Sequence, residues 1–305
     1  RRRNRTNGTE GRAQRVTALP VTTPVILCAD DYAMTAGVSR GILELARSRR
    51  LSATSALVTL DRWREDAKPV AQARDCIAVG LHLDLTLGQP LGPMPSLAPG
   101  GCFPSLKQIL FRALTGRIDQ EEIAGEVTRQ LGLFEDATGF PPDHIDGHQH
   151  VHALPGVRNG VLQALKQRFP SGGPLVRDPA DRVSAIRSRG LAVGKSIVIN
   201  RLSSGFGAAA RALGFAVNDS FAGTSAFKEG QPYGQELKAA FSAGGKRHLV
   251  MCHPGHVDPE LSRLDPIVAR RAEELAALAQ AQDLPAELWH PQRAANGPSV
   301  DWQKR

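Results

Sequence analysis

Long apolar runs are missing from this 305-residue chain. None approaches the roughly 18 residues of a membrane-crossing helix, so no membrane span is expected. Aromatic residues are scarce: three tryptophans and two tyrosines beside ten phenylalanines leave few platforms for stacking nucleic-acid bases. Cysteine is sparse too, and Cys28, Cys76, Cys102 and Cys252 stand too far apart for a zinc knuckle or a CxxC redox pair. Four reduced thiols in a cytoplasmic protein are therefore expected. Acidic residues are nearly absent from residues 1–24, where six arginines face only Glu10. That stretch supplies five of the eight net positive charges. It has no helical or strand periodicity and reads as a disordered basic N-terminal extension, which leaves the body without an obvious nucleic-acid surface. Neither the apolar segment of a signal peptide nor the amphipathic, serine-bearing pattern of a transit peptide is present.

What remains has an ordinary globular composition, 41% hydrophobic and 22% charged. Short β-like runs alternate with helical spacing along it. Strands are expected at 25–29, 55–60, 77–83, 144–146, 174–177, 215–221 and 247–252. The spacing predicts helices over 37–47, 62–74, 119–134, 157–169, 193–213, 233–243 and 266–281, the last opening at Pro266. Asp119 and Glu122 have the spacing of a capping box. Strand–helix alternation seven times over predicts α/β architecture, a distorted TIM-like (β/α) barrel in one domain over 25–290 with a C-terminal tail at 291–305. Residues 86–104, with five prolines and four glycines, read as a long loop over part of a cleft.

Such barrels gather chemistry at the carboxyl ends of their strands. Asp30 and Asp31 close the first predicted strand, His82 and Asp84 the third. His144, Asp146, His148, His150 and His152 fall on or after the fourth, and His253 follows the last. Adjacent aspartates can divide labour, one holding a cation while the other takes a proton from water. Asp31, His82 and one histidine from 148–152 would form the imidazole–carboxylate set that divalent metals favour on hydrolases. Gly147 suggests a bend, so not every histidine in the run can be a ligand. His253, fixed in extended backbone by Pro254, suits a general acid.

Four motifs, Ala-Asp30-Asp31-Tyr, Gly-Leu-His82-Leu-Asp-Leu-Thr, His-Ile-Asp146-Gly-His148-Gln-His-Val-His152 and Met-Cys-His253-Pro-Gly, occur in order. From Val25 to Ala281 the chain resembles the YdjC/ChbG carbohydrate deacetylases and the related HpnK enzymes. The resemblance implies a distorted (β/α) barrel that removes acetyl groups from N-acetylglucosamine-containing saccharides with one divalent metal ion, magnesium or zinc. It implies Asp31, His82 and His148 as metal ligands, Asp30 as base and His253 as acid. Asp84, His152, Arg177 and Asp219 are the candidates for binding sugar hydroxyls. Ala33 and Gln149 depart from the family's usual glycine and histidine, neither at an implied ligand. The expected partner is a small acetylated sugar, with no nucleic acid, and a homodimer is compatible with the sequence. An acetylated glycolipid such as an N-acetylglucosaminyl hopanoid is an alternative substrate. A non-haem iron oxygenase, from the His82-Leu-Asp84 spacing, and a non-enzymatic anionic-polymer binder are more distant readings.

Overall fold

The computed structural model describes residues 23–225, 232–265, 268–281, 284–293, 300 and 302. The basic extension expected over 1–24 lies outside the described residues but for its last two positions, as does Pro266. Seven strands form one parallel sheet: β1 (Ile26–Tyr32), β2 (Ala53–Ala56), β3 (Ala78–Leu83), β4 (His144–Gly147), β5 (Leu175–Val176), β6 (Ser220–Ala222) and β7 (His248–Cys252). Their order is β5-β4-β3-β2-β1-β7-β6. The two edge strands meet through one parallel bridge, Val176 to Val217, and Val176 N–H donates to the Ala216 carbonyl at 2.8 Å. The sheet is thus a strongly curled barrel whose closing seam is a single bridge, in agreement with the expected fold class.

Helices cover the outside: α1 (Ala36–Arg47), α2 (Trp63–Gln72), α3 (Leu106–Leu114), α4 (Gln120–Thr138), α5 (Val157–Arg168), α6 (Val183–Arg189), α7 (Val193–Leu202), α8 (Phe206–Ala212), α9 (Tyr233–Ala240), α10 (Leu261–Leu264) and α11 (Val268–Gln280). α4 shows why they form. Asp119 caps its first turn by accepting from the Glu121 and Glu122 amides, and Gly139 (φ 79°) ends it. Its buried face, Ile123, Val127, Leu131 and Phe134, follows the three-and-four-residue spacing of an apolar stripe. Each such side chain contributes roughly 1.5–3 kcal/mol on burial.

Alternate residues of the strands split two cores. Leu27, Ala29, Val79 and Leu81 face outward into the sheet–helix layer. Ile26, Cys28, Ala53, Ala78, Leu175, Leu249 and Met251 fill the barrel itself. Trp289 and Trp302 belong to this inner core, stacked at 4.6 Å, and Trp302 Nε1 donates to the Asp143 carbonyl just before β4. Arg293 forms an ion pair with Asp143 at 2.6 Å. Two described residues of the expected tail, Val300 and Trp302, therefore plug the amino end of the barrel.

Several expected boundaries move. β2 ends at Ala56, and Leu57 and Val58 are buried beyond the ladder, because an apolar run does not distinguish a strand from the buried turn after it. The helical region at 193–213 is two helices broken at Gly205 (φ 82°). α3 and α6 were not expected; α3 starts at a reciprocal Ser105–Gln108 capping box. The segment 86–104 is a loop, as expected, and it is packed: Met94, Leu97, Ala98 and Phe103 are buried. Glu122 does not complete a box with Asp119. Its carboxylate instead accepts from the Ser96 and Leu97 amides of that loop.

Candidate active site

The barrel's filling changes from apolar to ionic toward the carboxyl ends of the strands. Asp30 and Asp31 end the inner face of β1, although neighbours on a strand normally point to opposite faces. Asp31 resolves the conflict with φ 67°, a left-handed conformation, and the β1–β2 register breaks between Ala29 and Tyr32. Both carboxyls are buried.

Asp31 Oδ1 lies 3.2 Å from His82 Nε2 and 2.9 Å from His148 Nδ1. His82 is fixed from behind, its Nδ1–H donating to Asp146 Oδ1 at 2.6 Å, with Ser55 Oγ 3.1 Å away. That bond sets the tautomer that turns Nε2 toward Asp31. Arg271 on α11 reaches the other oxygen of Asp31 at 2.5 Å and also Asp265 at 2.5 Å. Arg177, fully buried, spans Asp30 with two 2.6 Å bonds and touches Asp146 Oδ2 at 2.5 Å. Four aspartates and two arginines are thereby locked to one another, through His82, beneath the mouth.

The electrostatics follow from this packing. Burial alone would raise Asp31, but Arg271 and then His148 hold its carboxyl well below the usual range. Burial would lower His82, yet Asp146 and Asp31 outweigh it and lift the imidazole to about 10. Asp146 is likewise kept low, against its burial, by Arg177 and His82. Proton and cation are interchangeable in such a nest of anions: the pull that protonates His82 here is the pull a divalent ion would feel. Asp31, His82 and His148 each offer one ligand atom, mutually within 4.8 Å. Two imidazoles and a carboxylate, with His82 and Asp31 each oriented by a further bonded partner, suit a catalytic divalent metal.

After Gly147 the chain leaves the strand. Gln149 (φ 54°) and His150 (φ 60°) are left-handed within a short 3₁₀ segment, so the histidines fan apart. His148 meets Asp31, His150 packs edge-on against Phe221 at 5.4 Å, and His152 Nε2 donates to the Arg177 carbonyl at 2.9 Å. Burial takes His152 down to about 4. His253, just past β7, is half-buried within the field of Asp31 and Asp30, which partly offset the burial that lowers its imidazole.

Among the expected sugar contacts, Arg177 and His152 are fully buried beneath this mouth, Arg177 committed to Asp30 and Asp146 and His152 to the Arg177 carbonyl. Asp84 is fully buried and builds the turn after β3, accepting from Thr59 Oγ1 and the Thr86 and Leu87 amides. Asp219 is at the opposite end: β6 is only Ser220–Ala222, so Asp219 precedes it and accepts from Arg247 N–H before β7. The longer apolar run had placed it at the carboxyl end. Arg271 was not anticipated, although it shares a helix face with Leu275 and Leu278, and an arginine on an apolar stripe marks a buried charge.

The profile of a family described as YdjC-like protein matches residues 24–283. The chain belongs to the YdjC-like family. A Klebsiella pneumoniae (strain 342) relative, named chitooligosaccharide deacetylase, is 32% identical over 77% of this chain and 82% of its own. A second of the same name, from K. pneumoniae subsp. pneumoniae, is 31% identical over 80% and 90%. Among solved structures, an Enterococcus faecalis V583 protein provisionally assigned to cellobiose-phosphate cleavage superposes with a TM-score of 0.65. It is 22% identical, covers 88% of this chain and 97% of its own, and shares the fold. The four motifs of this YdjC-like chain converge on one end of that fold.

Proposed function

We propose that the protein is a metal-dependent amide hydrolase that removes the N-acetyl group from N-acetylglucosamine-containing saccharides. The observation that carries this reading is the convergence of Asp31, His82 and His148, with Asp146 and Arg271 gripping two of the three from behind. The names of the family relatives support an acetylated chitooligosaccharide as substrate. A divalent cation held by those three, magnesium or zinc, would polarise the acetamide carbonyl and favour charge on its oxygen. Asp30 takes the proton from the attacking water, its carboxylate kept in one plane by the paired bonds from Arg177. His253, across the mouth, gives a proton to the nitrogen as the carbon–nitrogen bond breaks. The free thiols of all four cysteines support a cytoplasmic setting.

Acetate released from N,N′-diacetylchitobiose, with and without chelator, tests the reading. Metal-dependent release that Asp30→Asn reduces by orders of magnitude supports it. Release that survives both chelation and Asp30→Asn overturns it.

A further inference from the structure

We infer that Glu274 is a positioning residue for the proton donor, holding the main chain of His253 so that its imidazole faces the departing amine. The inference rests on the reading of His253 as the acid. Glu274 lies on α11 with 2% of its surface exposed, and its Oε2 accepts from His253 N–H at 2.5 Å. One turn back on the same helix, the Arg271 carbonyl accepts from Gly255 N–H at 3.1 Å. The helix therefore grips the chain on both sides of Pro254. The following residue is fixed as well: His256 N–H donates to the Gly37 carbonyl at 3.1 Å, and a Cβ on Gly37 would stand 2.4 Å from the His256 oxygen. Glycine alone permits that approach between α1 and the loop.

β7 ends at Cys252, so the His253 amide needs an acceptor from elsewhere. Glutamine or a main-chain carbonyl would satisfy it at lower desolvation cost than a carboxylate. What distinguishes Glu274 is its address. It shares α11 with Arg271, whose side chain holds Asp31, so one rigid element sets the acid at one spot and the ligand carboxylate at another. Proton delivery tolerates little misplacement, since donor and nitrogen must come within hydrogen-bond reach as the C–N electron pair passes to nitrogen.

Two substrates separate positioning from mere support. N,N′-diacetylchitobiose has an amine leaving group that must be protonated. 4-Nitrophenyl acetate expels a phenolate that needs no proton. Glu274→Met should lower kcat on the amide roughly 30-fold or more, and on the ester by less than about 3-fold, with KM for the amide unchanged. Glu274→Gln, which keeps an acceptor oxygen, should restore most of the amide rate. Glu274→Asp keeps the charge but draws the acceptor back by one carbon, and should show the selective loss even if the methionine variant does not fold. The double variant His253→Ala/Glu274→Met should be no slower than His253→Ala alone. Equal losses on both substrates, or additive losses in the double variant, overturn the inference. If His253→Ala itself fails to discriminate amide from ester, the acid reading falls and the positioning role falls with it.

Discussion

Two histidines that bear the same proposed role differ sharply in what else they hold. His82 is buried between Asp146, Ser55 and Asp31, whereas His148 is partly exposed and bonds Asp31 alone. His82→Ala takes a hydrogen-bond partner from two buried carboxylates, which keep Arg177 and Arg271, and should cost about 1–3 kcal/mol in the metal-free protein. His148→Ala should stay within about 1 kcal/mol. Both should abolish metal binding, so denaturant titration beside calorimetry with zinc will separate ligand from scaffold. A second residue-scale expectation concerns Glu274, which burial raises from 4.5 to about 7. A raised carboxyl binds its proton more tightly when folded, so the stability it lends is complete below about pH 4.5 and is lost as pH rises through 7. Glu274→Gln removes that loss. At pH 8 it should be the more stable protein by up to about 3 kcal/mol, and at pH 5 the gap should shrink toward zero. A thermal midpoint difference that does not change with pH would contradict this. The residues legible in advance were those whose polarity broke an apolar strand: Asp30, Asp31, His82 and His253. Arg271 was not legible, because its partner Asp31 lies 240 positions away and only the folded barrel brings them together.

At the scale of elements, composition made the 86–104 segment legible as a loop but not the contacts that anchor it. Glycines and prolines exclude regular structure, but they say nothing about anchoring by another element. Here α4 does the anchoring: Glu122 takes the Ser96 and Leu97 amides, Glu126 takes that of Leu91, and Arg112 of α3 donates to the Ser96 and Leu97 carbonyls. Glu122→Ala should therefore speed hydrogen exchange at Ser96 and Leu97 by about 10-fold or more. Global stability should move by only about 1 kcal/mol. Unchanged protection at those two amides would show that the buried Met94, Leu97 and Phe103 suffice alone. Strand ends were hard to read for a related reason. Periodicity reports burial: Leu57 and Val58 after β2 are as buried as the strand, and buried Phe215 and Val217 extend the apolar run ahead of β6, which is how Asp219 came to be assigned to the wrong end.

For the molecule as a whole, the alternation of elements made the barrel readable, whereas nothing local announced the plug at its amino end. Trp302 touches Trp289, the edge of His144 and the Asp143 carbonyl, the last two across more than half of the chain. Trp302→Ala should cost about 3–5 kcal/mol, seen as a lowered urea midpoint with the fluorescence of the remaining tryptophans as probe. A midpoint within experimental error of the parent would remove the C-terminal segment from the barrel's core. Above that plug the ring is unequal around its circumference. Proposed ligands and acid sit on or just after β1, β3, β4 and β7, joined through β2 and ladders of several paired residues, while the segments of β5 and β6 meet at the Val176–Val217 bridge and through the Asn218 side chain on the Asp178 main chain. Mechanically this is a clasp. Strain introduced by a longer or bulkier saccharide is relieved first where one bridge and one asparagine must yield rather than a full ladder, so the ring can widen on the side of Phe221 while the spacing of Asp31, His82 and His148 is conserved. Tolerance for substrate size and rigidity of the reacting centre then belong to opposite arcs of the same sheet.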